Sequence, residues 1–299
     1  MIGRMSSDQA VRNFLIDLQG NYRSLSETQR QVSTGKRISS PSDDPVGIAI
    51  ALGLRRDQGA TAAWRRNIDD SLTWLNTTDR ALDQALDVVQ RAHELAVQGG
   101  NGTLSSNARA LIAAEVDSLR SQFVEIGNSS LGGRFIFGGT GTTTQPFDPA
   151  TGAAALPINA GLINREVAQG SVVSINITAD RLQKPPGATP DIFTVLDGLS
   201  TALSTDDFAG ITGALDDLRA HQESINALRG EGAAKINRLE LTASRFEAQE
   251  IATGDQLSRI EDADMAEAIT DLSMRESVYR SALAVGARVI QPSLVDFLG

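Results

Sequence analysis

Apolar residues near the start of the chain recur at alternating spacings of four and three residues. The positions are Val11, Leu15, Leu18, Tyr22, Leu25, Gln29 and Val32, and six of the seven are apolar or aromatic. This spacing matches the a and d positions of a coiled coil, so it predicts a helix over about residues 7–33. The intervening residues are largely polar, and the opposite face of this helix is therefore predicted to meet water.

The end of the chain carries the same pattern, at Ile269, Leu272, Glu276, Tyr279, Leu283, Gly286 and Ile290. Each stripe is narrow, and the apolar tail at 294–298 has no obvious cover in a monomer. We therefore predict that the two terminal helices pair with each other and with neighbouring copies, rather than forming only a bundle core. The predicted assembly interface comprises Val11, Leu15, Leu18, Tyr22, Leu25, Val32, Ile269, Leu272, Tyr279, Leu283 and Ile290.

Further helices are predicted between these ends. Ser, Pro and Asp dominate residues 36–44, which predicts a loop that includes Ser42 and Asp43. Asp44 is placed to cap a new helix with Pro45 at its first position, and that helix is predicted to end near Gly59. Apolar stripes then predict helices over about 68–96, 112–126 and 208–246, with a break or kink at 229–232.

The middle of the chain has a different composition. From Leu131 onward Gly and Thr become frequent, and the segment Ser171–Ala179 has the β-branched content of a strand. Gly132, Gly133, Gly138 and Gly139 are predicted to form a hinge at the entrance to a β-rich insert. The predicted fold is mainly α, with a terminal coiled-coil domain (1–44 and 253–299), a helical rod (45–138 and 191–252) and a β insert (139–190).

Composition narrows the class of protein. Aromatic residues make up only 4% of the chain against 41% apolar residues, which favours elongated helices over a broad core. A net charge of −10 disfavours nucleic-acid binding, and the absence of Cys excludes disulfides and thiolate sites. No run of about 18 apolar residues occurs, so no membrane insertion is predicted, and polar interruptions near the start predict no cleavable signal.

Candidate chemistry is sparse. The two histidines, His93 and His221, lie in separate predicted helices, and each is interpreted as a structural residue. Asp43 and Asp44 could bind a cation, but capping is the simpler interpretation. No combination of nucleophile, base and orienting group is found, so we predict that the protein is not an enzyme and uses no cofactor or metal.

Three segments together resemble the bacterial flagellins and flagellin-like junction proteins. They are STGKRISSPSDDPVGIAIA (33–51), GGRFIFGGT (132–140) and TDLSMRESVYRSAL (270–283). The SDDP loop and the GGRFIFGGT segment are more similar to the hook–filament junction proteins than to filament flagellin. The opening MIGRMSSDQ and the ending VDFLG depart from the usual pattern of the family.

The resemblance implies an extracellular structural protein of the flagellum. The junction proteins that it resembles form a ring of identical subunits between hook-associated protein 1 and the flagellin filament, and an export chaperone accompanies them. They leave the cell unfolded through the flagellar type III system without a cleaved signal, and their terminal helices fold only on assembly. A narrow stripe agrees with this, since it buries too little area to offset about 1–2 kcal/mol of backbone entropy per residue.

Three other interpretations stay open. The chain could be a short filament flagellin, which has the same structural class. It could carry an enzyme or adhesin in the β insert, or it could be a cytoplasmic coiled-coil scaffold.

Overall fold

The computed structural model describes residues 2–149, 152 and 159–290. These residues form two compact units. The terminal unit combines Met1–Ala60 with Ala248–Gly299, and the central unit is Thr61–Glu247. Both ends of the chain thus contribute to one unit, as the two terminal stripes predict.

Helices account for most of the described structure, and the predicted fold class is confirmed. The helices are α1 (Ile2–Thr34), α2 (Pro45–Gly99), α3 (Ser106–Gly127), α4 (Ala179–Gln183), α5 (Ile192–Ser204), α6 (Phe208–Glu261) and α7 (Met265–Ile290). The strands are β1 (Ser130–Leu131), β2 (Arg134–Phe135), β3 (Asn164–Ala168) and β4 (Ser171–Ser174). They form two antiparallel pairs, β1 with β2 and β3 with β4.

The predicted helix end near Gly59 is wrong, and so is a break at 229–232, while a kink at 229–232 stays a prediction. Helix α2 continues through Gly59, and α6 continues through residues 229–232. A Gly inside a helix costs only about 0.5–1 kcal/mol relative to Ala. The apolar stripes continue on both sides of these glycines, so the packing of the longer helix outweighs that local cost.

The β content of the insert is smaller than its composition suggests. Only Ser171–Ser174 of the predicted strand Ser171–Ala179 is paired, and Ala179 already begins α4. The β3–β4 hairpin turns at Gly170, whose φ of +69° is readily adopted only by Gly. Val167 and Val173 point from this hairpin into the core and are almost fully buried.

A single hydrophobic core fills the central unit. Phe193 on α5 lies edge-on against Phe123 of α3 and Phe147, with ring centroids 5.6 and 5.5 Å apart. Described residues between 139 and 190, such as Ile175 and Leu182, belong to the same core as the helices. The division into three domains stays a prediction, while the packing shows that the insert shares its core with the surrounding helices.

Candidate assembly surface

The terminal unit brings α1 and α7 together as a helix pair. The Tyr22 and Tyr279 rings lie with their centroids 5.9 Å apart and tilted by 47°. Near the other end of the contact, Gly286 approaches Phe14 so closely that a Cβ on Gly286 would overlap the phenyl ring. The predicted pairing of the two ends is therefore present within one chain.

The register of this pair differs from the predicted stripe by one residue at alternate positions. Positions that are buried or half-buried recur on α1 at Val11, Phe14, Leu18, Asn21, Leu25, Thr28 and Val32. On α7 they recur at Ala268, Leu272, Arg275, Tyr279, Ala282 and Gly286. Both sets keep the coiled-coil alternation, but Phe14, Asn21 and Thr28 replace the predicted Leu15, Tyr22 and Gln29.

The predicted interface residues consequently fall into two groups. Val11, Leu18, Leu25, Val32, Leu272 and Tyr279 are half-buried, in line with the α1–α7 contact. Leu15, Tyr22, Ile269 and Leu283 are 44–58% exposed, although one side of the Tyr22 ring lies against Tyr279. The side chain of Ile290 and the apolar tail at 294–298 lie outside the described residues. The exposed group is available to another chain, although its role in assembly stays a prediction.

Helix α7 has a second exposed apolar row, whose residues lie outside the predicted stripe. It comprises Met274, Val278 and Val285, which are 50–58% exposed and follow the spacing of four and seven residues. This helix is therefore apolar on the side facing α1 and on further sides as well. The sequence indicates this row, because Met274, Val278 and Val285 are apolar residues at positions i, i+4 and i+11.

A shallow groove of about 240 Å³ lies along the contact of α1 with α7. Leu18, Gln19, Tyr22, Arg23 and Tyr279 line it. Its mixture of apolar rings and exposed polar groups resembles the surface of an interface more than a closed ligand pocket.

The loop between α1 and α2 is held by its two aspartates. Asp44 Oδ1 accepts hydrogen bonds from the amides of Val46 and Gly47 at 3.1 and 2.9 Å, which confirms the predicted cap. Asp43 Oδ2 accepts the amides of Ser39 and Ser40 at 3.0 and 2.9 Å. These backbone hydrogen bonds, with Arg30 nearby, hold the pKa of Asp43 below its usual value.

Helix α2 begins at Pro45, directly after this loop, as predicted. Within the loop, the Oγ atoms of Ser40 and Ser42 form a hydrogen bond of 2.6 Å. The two aspartates therefore serve the local backbone. Among the residues that the structure describes, no group of three or more His, Asp or Glu side chains could hold a metal ion.

The four predicted hinge glycines occupy tight turns in the central unit. Gly132 and Gly133 have φ of +56° and +77° and form the two-residue turn that joins β1 to β2. Gly139 has φ of +61°, and a Cβ on Gly138 would lie 3.0 Å from the Gly141 carbonyl oxygen. These positions need Gly for their backbone geometry, and a hinge role for them stays a prediction.

The structure places a half-buried His93 on α2 and His221 on α6, and the structural role of His93 stays a prediction. His221 is fully buried, and its Nε2 lies 2.9 Å from the Pro190 carbonyl oxygen. Burial lowers the pKa of His221 more than the Pro190 carbonyl and two nearby carboxylates raise it.

No helix in the described part of the chain is long and apolar enough to cross a membrane.

Comparison with known proteins agrees with this geometry. The family model for the bacterial flagellin N-terminal helical region matches residues 6–142, and that for the bacterial flagellin C-terminal helical region matches residues 214–298. Flagellar hook-associated protein 3 of Escherichia coli strain K12 is 27% identical, over 88% of this chain and 92% of its own length. Flagellin of Listeria monocytogenes serovar 1/2a is 26% identical, over 90% of this chain and 89% of its own.

A solved structure shows the same fold. The flagellar hook associated protein-3 from Legionella pneumophila superposes with a TM-score of 0.61 at 13% identity. The match covers 71% of this chain and 98% of that chain. Two matched helical regions, the pairing of the chain ends and this shared fold lead to one conclusion: the chain belongs to the bacterial flagellin family.

Proposed function

We propose that this protein is the hook–filament junction subunit of a bacterial flagellum. At the coarser level it is a structural component of the flagellum, as its flagellar relatives are. At the finer level, copies of the chain form a ring that contacts hook-associated protein 1 on one side and flagellin on the other. The chain reaches this site through flagellar type III export, without a cleaved signal and with an export chaperone.

The exposed apolar flanks of the α1–α7 pair carry this proposal. Leu15 and Tyr22 on α1, with Ile269 and Leu283 on α7, expose apolar surface next to a contact that the chain already satisfies internally. Clustered apolar surface of this kind marks a protein–protein interface. A ring of identical subunits would cover these flanks, because each copy offers the same pair to its neighbours.

A filament flagellin is the second candidate, and one observation favours it. The chain is nearly as similar to the Listeria flagellin as to the Escherichia coli hook-associated protein. The two functions differ in where the protein lies, at one short zone or along the whole filament. Gold-labelled antibody on intact flagella separates them, since a junction subunit is labelled only where the hook meets the filament. A protein found only inside cells would support the scaffold interpretation instead.

Deletion of the gene tests the junction role directly. Cells lacking a junction subunit should carry bare hooks and lose flagellin to the medium, both of which electron microscopy and blotting of the medium detect. Intact filaments on the deletion strain would refute the junction proposal.

Point variants then test the surface. Leu18→Asp and Leu283→Asp are expected to leave the central unit folded but to abolish filament formation when they replace the wild type. Leu111→Asp is a matched control, because Leu111 is a 76% exposed leucine on α3 of the central unit. Normal filaments with Leu283→Asp, or equal loss with Leu111→Asp, would count against the terminal pair as the assembly surface.

A further inference from the structure

Glu261, at the end of α6, is a buried carboxylate with two cationic partners. The residue is only 1% exposed. Its Oε2 forms ion pairs with Lys36 Nζ and with Arg55 Nη2, the latter at 2.6 Å. Burial by itself raises the pKa of Glu261, but Lys36 and Arg55 outweigh it and hold the pKa below its usual value. The carboxylate is therefore charged at neutral pH, where both ion pairs persist.

The backbone around Glu261 is tied to the same loop. Its carbonyl oxygen accepts the amides of Arg37 and Ile38 at 2.6 and 3.3 Å. In the other direction, the Ala263 amide donates to the Gly35 carbonyl oxygen at 3.0 Å. The connection that follows α1 and the connection that precedes α7 thus lie side by side as a short antiparallel bridge between Lys36 and Asp262.

This arrangement fixes the end of α1 relative to the start of α7. Lys36 comes two residues after the end of α1, and Glu261 comes four residues before the start of α7. A coiled-coil stripe alone leaves the register of two helices weakly determined, because a slip by one heptad restores the same apolar contacts. A buried charge that loses its partners is strongly destabilising, so a slip that separates Glu261 from its cations is disfavoured.

We propose that Glu261, together with Lys36 and Arg55, is an electrostatic lock that sets the register of α1 on α7 and so positions the assembly surface. Glu261 is a positioning residue, since its burial keeps it from touching a neighbouring subunit. The link to flagellar assembly rests on the proposed function, whereas the lock itself concerns one chain.

The test uses the full-length protein with Glu261→Gln, which keeps the shape of the side chain and removes its charge. The neutral amide leaves Lys36 and Arg55 without an anion. The hydrogen bonds from Lys36 and Arg55 to the charged side chain are stronger than bonds to a neutral amide, so their loss should let the backbone bridge open more often. We therefore expect the amides of Arg37, Ile38 and Ala263, which donate to backbone carbonyls of that bridge, to exchange with solvent at least about tenfold faster. Glu276→Gln is the matched control, because that carboxylate has one exposed partner, Arg280, at 3.1 Å.

Register is measured separately. The chain contains no Cys, so the pair Tyr22→Cys and Tyr279→Cys provides the only thiols. A short bismaleimide should cross-link this pair efficiently in the parent, and several-fold less efficiently when Glu261→Gln is added. The added loss should shrink in a Lys36→Met background, where the charge balance is already broken.

Each outcome decides the proposal. Wild-type exchange at the three amides, or unchanged cross-linking, in Glu261→Gln would overturn the lock. Local opening with normal filaments in complemented deletion cells would overturn its role in positioning the assembly surface. If the deletion strain itself bears normal filaments, the junction function fails, yet exchange and cross-linking still test Glu261.

Discussion

Replacement of Gly127 by Ala is expected to destabilise the central unit. Gly127 is the last residue of α3, and a Cβ there would lie 2.5 Å from Cδ2 and Cε2 of Phe147. Nonbonded carbon atoms pack best at about 3.5–4.0 Å, so the ring or the helix end has to move. Phe147 is fully buried, and its amide and carbonyl are both bonded at 2.9 Å to the side chain of Asn128. These hydrogen bonds hold the backbone of Phe147 beside the end of α3, so the ring cannot easily move away from a Cβ at position 127.

The size of the effect follows from two opposing contributions. Overpacking a well-filled core costs about 1–3 kcal/mol. Replacing Gly in a helix interior returns about 0.5–1 kcal/mol, and less at a terminal residue such as Gly127. The net loss is thus about 1–2 kcal/mol, and at about 2–4 °C per kcal/mol for a unit of this size the Tm falls by about 2–8 °C.

Thermal unfolding of the full chain, followed by circular dichroism, measures this change. Gly213→Ala is the control, because Gly213 lies inside α6 and a Cβ there meets nothing within 4 Å. The control should raise the Tm, since only the helix preference changes. Phe147→Leu should reduce the penalty of Gly127→Ala in the double variant. An unchanged or higher Tm for Gly127→Ala would refute the argument that Phe147 cannot yield.

Three further predictions concern the terminal unit and the buried histidine. Gly286→Ala should weaken the α1–α7 pair by about 1 kcal/mol because it crowds Phe14, whereas Gly20→Ala, with open space around it, should not; amide exchange along α1 measures both. Asp44→Ala should cost about 0.5–2 kcal/mol by removing the cap of α2, seen as faster exchange in its first turn. Since burial lowers the pKa of His221, the folded state favours the neutral ring, and stability present above about pH 6.5 should fall as the pH drops toward the folded pKa. Denaturant titrations at several pH values measure the free energy of unfolding. This free energy should depend less steeply on pH in His221→Gln than in the parent, and an equal pH dependence would contradict the prediction.

Much of the helical framework could be predicted from the sequence. The alternation of three and four identifies α1 and α7, and Asp44 with Pro45 marks the start of α2, because these signals are local. The register of the terminal pair is harder to predict. Phe14 and Leu15 are both large apolar residues, so periodicity alone does not say which one faces α7, and the close approach of Gly286 decides it.

Other features lie beyond local patterns. A helix end near Gly59 and a break at 229–232 follow from the low helix propensity of Gly, which tertiary packing overrides in α2 and α6. The cluster at Glu261 unites side chains that are more than 200 residues apart, and three charged residues of ordinary types carry no motif. Such a site becomes visible only once the fold has placed its members together.

The separation between Glu261 and its partners has a consequence for the order of folding. Lys36 and Glu261 are 225 residues apart in a chain of 299, so their contact closes a loop of about three quarters of the chain. Closing so long a loop costs entropy before any contact rewards it, which makes such contacts late events in folding. The hydrophobic core of the central unit consists of residues within 61–247, so this core can form before Lys36 meets Glu261. A chain in which the residues after α6 are not yet in place therefore lacks the aligned pair of α1 and α7.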